Sequence, residues 1–431
     1  MVERRLYMAT KIIIHRGTNQ IGGCVTEIKT ENHRIFIDFG EELPGTESDA
    51  HDLKIEGLNY EGKKCDGVFF THYHGDHVGM FQTIQKNVPL YMGECARQVM
   101  LTIYKTLQDN ETIEILRDKN RIHPIVEKVT VLCGDIKVTP FSVDHSAYDA
   151  YMFLIETPGL AILHTGDYRN HGYRGHRLLD MIQTYITNNG KRKIDVLITE
   201  GTMMSRQSEK VMTEQEMQQI AANYFKENKY IFLLCSSTNL DSLWSFYKAA
   251  ERNGMRFYGN GYVYNQLQNF MKYAGARAKS LYQFKTVYPV NWSYPLKTVN
   301  MTQEEFMREK GFVIVIKEGE KYKKWLERFA DLKPKIIYSM WEGYLDPNSK
   351  AYNKELAEFL KPYEQEQLYK LHTSGHATTK CIEDVIIAIN PQKAIIPIHT
   401  ENRGGFADMK ISEELKQRIS YLEDGEEFIS Q

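Results

Sequence analysis

The sequence predicts a mixed α/β protein in which a layered sheet domain is interrupted by a second, parallel-sheet domain. Three observations carry that expectation. Up to Gly201 the apolar runs are short and separated by tight turns, as in a sheet domain with few helices. Beyond Gly201 strands alternate with amphipathic helices, which is the pattern of parallel α/β units. The last segment then returns to a helix and a strand that ends in histidine. At 431 residues the chain also exceeds the usual size of a single core.

Taken in order, Lys11–Ile14 is apolar and β-branched, and Cys24–Ile28 and Arg34–Asp38 flank the turn at residues 31–33 like the arms of a hairpin. Gly67–Phe70 is a buried strand, and Val99, Ile103 and Leu107 recur at near-helical spacing within Cys95–Leu107. Strands resume at Val129–Leu132 and Ile136–Thr139 across Gly134-Asp135, and at Tyr151–Ile155 and Leu160–Leu163 around Thr157-Pro-Gly159. A helical segment around Leu178–Ile186 precedes the strand Ile194–Glu200. Thr213 and Glu216 form a capping-box pattern before a helix bearing Met217, Ile220, Ala221, Tyr224 and Phe225 on one face. Tyr230–Leu234, Met255–Tyr258, Phe312–Ile316 and Lys335–Tyr338 are then strands, with helices at Leu240–Glu251 and Lys354–Leu360. Leu368–Leu371, the helix Thr379–Ile389 and the strand Lys393–Ile398 close the chain.

Composition narrows the class. Hydrophobic residues make up 42% and aromatic residues 12%, which excludes a disordered chain. The six cysteines are scattered without a CxxC pair, arguing against a zinc ribbon or disulfide scaffold and for a reducing cytoplasm. No apolar run reaches membrane-spanning length, and the start lacks an apolar leader, with Met8 as an alternative initiator. A net charge of -2 does not announce a nucleic-acid binder, so any such attraction has to come from a local groove or from bound metal.

The chemistry concentrates at Thr71-His-Tyr-His-Gly-Asp-His-Val-Gly79, which sets His72, His74, Asp76 and His77 directly after a strand. An extended chain would turn His72 and His74 to one side, and Gly75 would let the backbone bend to present Asp76 and His77 separately. Imidazole and carboxylate are ligands that zinc accepts, and a centre with an open position leaves room for reactive water. Four donors are too few for two well-held ions. His145 in Phe141-Ser-Val-Asp-His-Ser146, Asp167 in Leu163-His-Thr-Gly-Asp-Tyr168 and His399 in Ile396-Pro-Ile-His-Thr-Glu401 also stand at strand exits. With them, one metal site comprises His72, His74, His145 and Asp167. The other comprises Asp76, His77, Asp167 and His399, with Asp167 shared.

Together with Asp38, Glu200 in Thr-Glu-Gly-Thr, His376 in Ser374-Gly-His-Ala377 and Pro397-Ile-His399, this ordered set resembles the metallo-β-lactamase fold. More narrowly it resembles the β-CASP nuclease branch and, within it, ribonuclease J, over nearly the whole chain. The resemblance implies an αββα sandwich with an inserted β-CASP α/β domain: residues 1–205 as the first part of the sandwich, 206–367 as the insertion, and 368–431 as the return segment. It also implies two Zn²⁺ per chain, with Mn²⁺ as the alternative.

In the same terms, Asp76, His376, Glu200 and Asp38 belong to the catalytic apparatus, Asp38 orienting the first metal loop. Ser236, in the Ser-rich entry to the insertion, and His372, Ser374, Gly375, His376 and Ala377 would contact substrate. Residues 374–377 precede a helix, so their N–H groups and its dipole suit a phosphate. The remaining histidines, His15, His33, His51, His123, His164, His171 and His176, match nothing and read as structural or solvated. The basic runs 191–193 and 321–324 read as solvated faces that could touch phosphates, and most of Trp244, Trp292, Trp325 and Trp341 as core.

The implied activity is zinc-dependent hydrolysis of RNA phosphodiesters to 5'-phosphate products, 5'-to-3' exonucleolytic with endonuclease activity as a second mode. Histidine at position 399 is similar to the RNA-acting members of the branch. The implied partners are an RNA substrate and no membrane, with a homodimer as a possible assembly. Only residues 400–431 follow His399, so the extra C-terminal domain of bacterial members is expected to be absent, and residues 338–344 depart from the family's usual loop. The alternatives are a DNA nuclease or small-molecule metallo-hydrolase of the same fold, or a non-catalytic RNA-binding subunit.

Overall fold

The computed structural model describes residues 10–46, 52–278 and 280–429, so Met8 and His51 lie outside the described residues. The chain divides into two compact units. One comprises Met1–Asn170, Arg174–Lys210 and Gly375–Gln431; the other comprises His171–Tyr173 and Val211–Ser374.

Two mixed sheets build the first unit. One runs in the order Glu427–Ile429, Lys11–Arg16, Val25–Lys29, Arg34–Ile37, Gly67–Phe69, Leu90–Met92, Ile122–Pro124. The other runs Ala394–Ile398, Val196–Glu200, Ala161–His164, Tyr151–Glu156, Ile136–Ser142, Val131–Cys133. Strand alternation decides the layers. Ile12, Ile14, Ile28 and Ile35 of the first sheet share a core with Val138, Phe153, Ile155, Ile162, Ile198 and Ile396 of the second. Their neighbours Leu154, Leu163, Leu197 and Ile395 point the other way, against Ile182, Ile186, Ile382, Val385 and Ile389 from helical segments. Both faces of the central strands are therefore buried, which is why those strands read as continuous apolar runs. Each such side chain contributes roughly 1.5–3 kcal/mol.

Parallel pairing gathers the chemistry-bearing strand ends. Ala161–His164, Val196–Glu200 and Ala394–Ile398 are adjacent and parallel, so their C-terminal ends open at one edge. Arg34–Ile37 and Gly67–Phe69 are likewise parallel neighbours, which brings Asp38 beside the stretch starting at Thr71.

The stretch itself differs from the expectation. The strand stops at Phe69, residues 70–74 are irregular, and Gly75–Val78 form one helical turn. Gly75 is not among the positive-φ glycines. The helical turn, rather than glycine freedom, separates Asp76 and His77 from His72 and His74. Gly40 supplies the space instead: a Cβ there would sit 1.8 Å from the Asp76 carbonyl oxygen.

Two further differences have local causes. The helix expected around 178–186 is α-helical only over Leu178–Met181 and continues as a π-helix over Ile182–Ile186. There the Thr187 amide donates back five residues to Ile182 O at 2.9 Å. The strands Leu90–Met92 and Ile122–Pro124 and the helix Asn110–Arg117, capped by Asp109, were not legible. Three-residue strands are too short to show a period.

The second unit is a parallel α/β sheet in the order Val287–Pro289, Arg256–Gly259, Phe312–Ile316, Tyr230–Cys235, Lys335–Ser339, Leu368–Lys370. Thr213 and Glu216 form the capping box at the head of Glu214–Glu227. Leu368–Lys370 pairs with Lys335–Ser339, so this unit extends past residue 367 to Ser374. Trp244 lies in the interior against Tyr247 and Phe284, while Trp292 and Trp325 form an edge-to-face pair. In the run 191–193, Arg192 caps the preceding helical segment by donating to Tyr185 O and Ile186 O.

Candidate metal centre

The strand ends of the first unit bring seven of the predicted donors into one cluster. His72 Nε2 lies 3.0 Å and His145 Nε2 3.2 Å from His74 Nδ1. Three imidazole nitrogens thus converge on one point. A second group joins His399 Nε2 to Asp76 Oδ2 at 3.1 Å and His77 Nε2 to Asp167 Oδ2 at 3.2 Å. Asp167 Oδ2 also stands 3.9 Å from His72 Nε2, 4.0 Å from His145 Nε2 and 3.8 Å from His399 Nε2. One carboxylate therefore reaches both groups.

Three of the ligand-type histidines are held from behind. Asp38 Oδ2 contacts His77 Nδ1 at 2.8 Å, and Asp38 also accepts from the Thr71 amide at 2.7 Å and the Thr71 hydroxyl at 2.8 Å. Asp38 adopts a left-handed backbone, φ 62°, which a non-glycine residue takes only where its surroundings enforce it. His399 does the same, φ 52°, with its amide on Gly17 O at 2.7 Å and its Nδ1 2.7 Å from Thr202 Oγ1. His145 Nδ1 donates to Gly375 O at 2.7 Å. Anchoring one ring nitrogen leaves the other as a lone-pair donor, the usual arrangement for a metal-bound histidine.

The electrostatics favour the same protonation states. Burial pushes His72 and His145 well below the ordinary imidazole value and His74 down to about 4, so these rings are neutral near neutral pH. Burial opposes charge on Asp76 and Asp167 too, but the surrounding histidines outweigh it and hold both carboxylates ionised. For His77, burial works against the proton while Asp167, Asp76 and Asp38 together raise the ring's value. Buried Asp167 Oδ1 has no hydrogen-bond partner, and His77 Nε2 faces only the carboxylates of Asp167 at 3.2 Å and Asp76 at 3.8 Å. Unpaired buried acceptors, neutral imidazoles and ionised carboxylates are what a divalent cation accepts. The donor set fits metal ions.

Beside this cluster, Glu200 is fully buried at a strand end. It accepts from the amides of Ala377 at 3.1 Å and Thr202 at 3.1 Å, and its Oε2 lies 3.3 Å from His376 Nδ1. His376 Nδ1 is also 3.6 Å from Asp167 Oδ2. Burial alone would lower the His376 value, but Glu200 and Asp167 raise it. The Ala377 amide is committed to Glu200. Thr378 caps the helix Thr379–Ile389 through Cys381 N. Gly375 contributes its carbonyl to His145.

Ser236, His372 and Ser374 belong to the second unit. There Ser236 Oγ lies 2.9 Å from Thr238 Oγ1, and Ser374 O accepts from His171 Nε2 at 2.8 Å. Sequence reasoning missed Thr71, Thr202 and the Gly375 carbonyl as anchors. Only the position of Thr71 immediately before His72 offered a signal.

Residues 33–231 match the model of the Beta-lactamase superfamily domain. The chain is 24% identical over 406 residues to Ribonuclease J of Mycoplasma genitalium, covering 91% of this chain and 68% of that protein. It is 24% identical over 202 residues to Ribonuclease J of Helicobacter pylori, covering 45% of this chain and 28% of that protein. Among solved structures, a protein of unknown function from Enterococcus faecalis V583 superposes with a TM-score of 0.76 at 20% identity. That match covers 98% of this chain and 100% of the other, and it speaks for the fold alone.

Proposed function

From a chain that carries a β-lactamase superfamily domain, we propose a metal-dependent ribonuclease that hydrolyses RNA phosphodiester bonds to 5'-phosphate products. The observation that carries the reading is the single carboxylate, Asp167, within 4.0 Å of ring nitrogens from both histidine groups. A carboxylate so placed suits a two-ion centre, and the named Ribonuclease J relatives supply the substrate class. The two ions are zinc, with manganese as the alternative, and the working direction is 5' to 3'. The second unit is the β-CASP domain, the substrate is met in the cytoplasm, and a homodimer is a possible assembly.

When bound, divalent ions supply Lewis-acid stabilisation and a water nucleophile near neutral pH. The chain's own residues do the rest. His72, His74 and His145 would hold one ion, and Asp76, His77 and His399 the other, with Asp167 shared. Asp38 fixes the His77 ring, Thr202 the His399 ring and the Gly375 carbonyl the His145 ring, so these three rings are held in orientation. Two divalent ions against the charges of Asp76 and Asp167 leave the centre positive, which draws in an anionic backbone despite the net charge of -2. Glu200 positions His376, which donates to a phosphoryl oxygen as charge develops there. Ser236, His372 and Ser374 contact the backbone of the substrate.

A time course on end-labelled RNA tests this reading. RNA carrying a 5'-monophosphate is expected to release mononucleotides, RNA with a 5'-triphosphate to react more slowly, and chelator to stop both. Intact RNA in every arm, or faster cleavage of a matched DNA oligomer, would overturn it.

A further inference from the structure

Beyond the seven histidine and aspartate ligands, and besides Glu200 and His376, the donor groups include a cysteine. Cys24 is 2% exposed, and its sulfur, with nitrogens of His77 and His399, belongs to a trio of ligand atoms all within 4.8 Å of one another. In a tetrahedral zinc site, a thiolate at ~2.3 Å and an imidazole nitrogen at ~2.1 Å from the ion stand about 3.6 Å apart. The trio, all within 4.8 Å of one another, is grouped closely enough to close on one ion. Asp167 Oδ1, buried in the same centre and without a hydrogen bond, is a second sign that a cation belongs there.

The local chain holds the sulfur there by backbone alone. The Cys24 amide donates to Asp76 O at 3.2 Å, and Cys24 O accepts from Gly40 N at 3.3 Å. Gly17, whose carbonyl takes the His399 amide, has φ +111°, and a Cβ on it would press to 3.2 Å from Cys24 Sγ. The glycine thus clears space for the sulfur while anchoring a neighbouring donor. Among the described residues, the other five cysteines are also buried but belong to no such donor group.

We propose that Cys24 is a thiolate ligand on the Asp76, His77 and His399 side of the centre, and that it biases that side toward zinc over manganese. Soft thiolate selects zinc, whereas manganese prefers oxygen donors. The thiolate adds one negative charge; two divalent ions with Asp76, Asp167 and Cys24 still sum to a positive centre. The inference rests on the metal-dependent reading of the site.

Cobalt substitution tests it without RNA. Wild-type protein loaded with cobalt is expected to show a near-ultraviolet thiolate-to-cobalt charge-transfer band, lost in Cys24→Ser and kept in Cys133→Ser. Zinc affinity of Cys24→Ser should fall by at least ~10-fold, since loss of a ligand costs no less than loss of its outer partner. Manganese affinity should change less. Cadmium NMR on the wild-type chain reports sulfur ligation even where the variant fails to fold. Cobalt bound without the band, or a band that survives Cys24→Ser, would overturn the thiolate alone. A chain that takes up no cobalt would overturn the metal-dependent reading with it.

Discussion

Asp38 Oδ2 lies 2.8 Å from His77 Nδ1, and the same carboxylate receives the amide and the hydroxyl of Thr71. One buried side chain on the first sheet therefore fixes both the start of the donor stretch and the ring at its end. Asp38→Asn has one oxygen for these three donors and turns an amide N–H toward one of them. Metal affinity is expected to fall ~10–100-fold, the usual cost of losing an outer partner, with the secondary structure unchanged. Equilibrium dialysis against zinc checks this, and unchanged affinity would remove Asp38 from the orienting role.

Gly40→Ala probes the backbone rather than the ligands. Its new Cβ meets the Asp76 carbonyl at 1.8 Å, closer than any shift of a side chain can relieve. A loss of ~3 kcal/mol or more is expected, at the upper end for overpacking, with weakened metal binding. Urea denaturation and metal titration read the two effects.

Glu200→Gln separates positioning from metal retention. Glu200 accepts backbone amides from Thr202 and Ala377 and contacts His376, engagements that suit a positioning role although it also stands in a donor group with Asp167, His376 and His399. The expected result is a fall in kcat of ~100-fold with metal content retained. A variant that loses metal in proportion to activity would reassign Glu200 to the ligand set.

Much of this was legible in the sequence because metal donors carry their own chemistry. His72, His74, Asp76 and His77 lie together in the chain, and His145, Asp167 and His399 follow apolar runs. Their convergence depends on which strands are neighbours, a long-range property that no local pattern carries. The helical turn at Gly75–Val78 was misread as a glycine bend because four residues cannot display a helical period. The engagement of the Ala377 amide by Glu200, far away in sequence, leaves no trace in Ser374-Gly-His-Ala377. Cys24 looked like one of six scattered thiols until the fold placed it beside His77 and His399.

His164 gives a pH dependence that belongs to the fold. Burial holds its ring at about 3, below the ordinary 6.5, and its Nδ1 accepts the Gly166 amide at 3.2 Å. The unfolded chain gains this proton as pH falls through about 6.5, whereas the folded chain gains it only near about 3. The stability from the neutral ring is thus complete above 6.5 and drains away in between, by up to ~1.4 kcal/mol per pH unit. His164→Asn, which retains an acceptor for Gly166, is expected to flatten that slope in urea denaturation of the metal-free protein. An identical slope in both proteins would mean that His164 titrates normally in the fold.

Metal content and RNA cleavage measured on the same samples test the central claim most directly, with His74→Ala as the variant because its ring sits between those of His72 and His145. Zinc-loaded wild-type protein is expected to shorten 5'-monophosphorylated RNA, and His74→Ala to lose bound metal and at least ~100-fold in rate, consistent with several kcal/mol of lost Lewis-acid stabilisation. Fully metal-loaded wild-type protein that leaves the RNA intact, or cleavage that persists undiminished in His74→Ala under chelation, would contradict a metal-dependent ribonuclease.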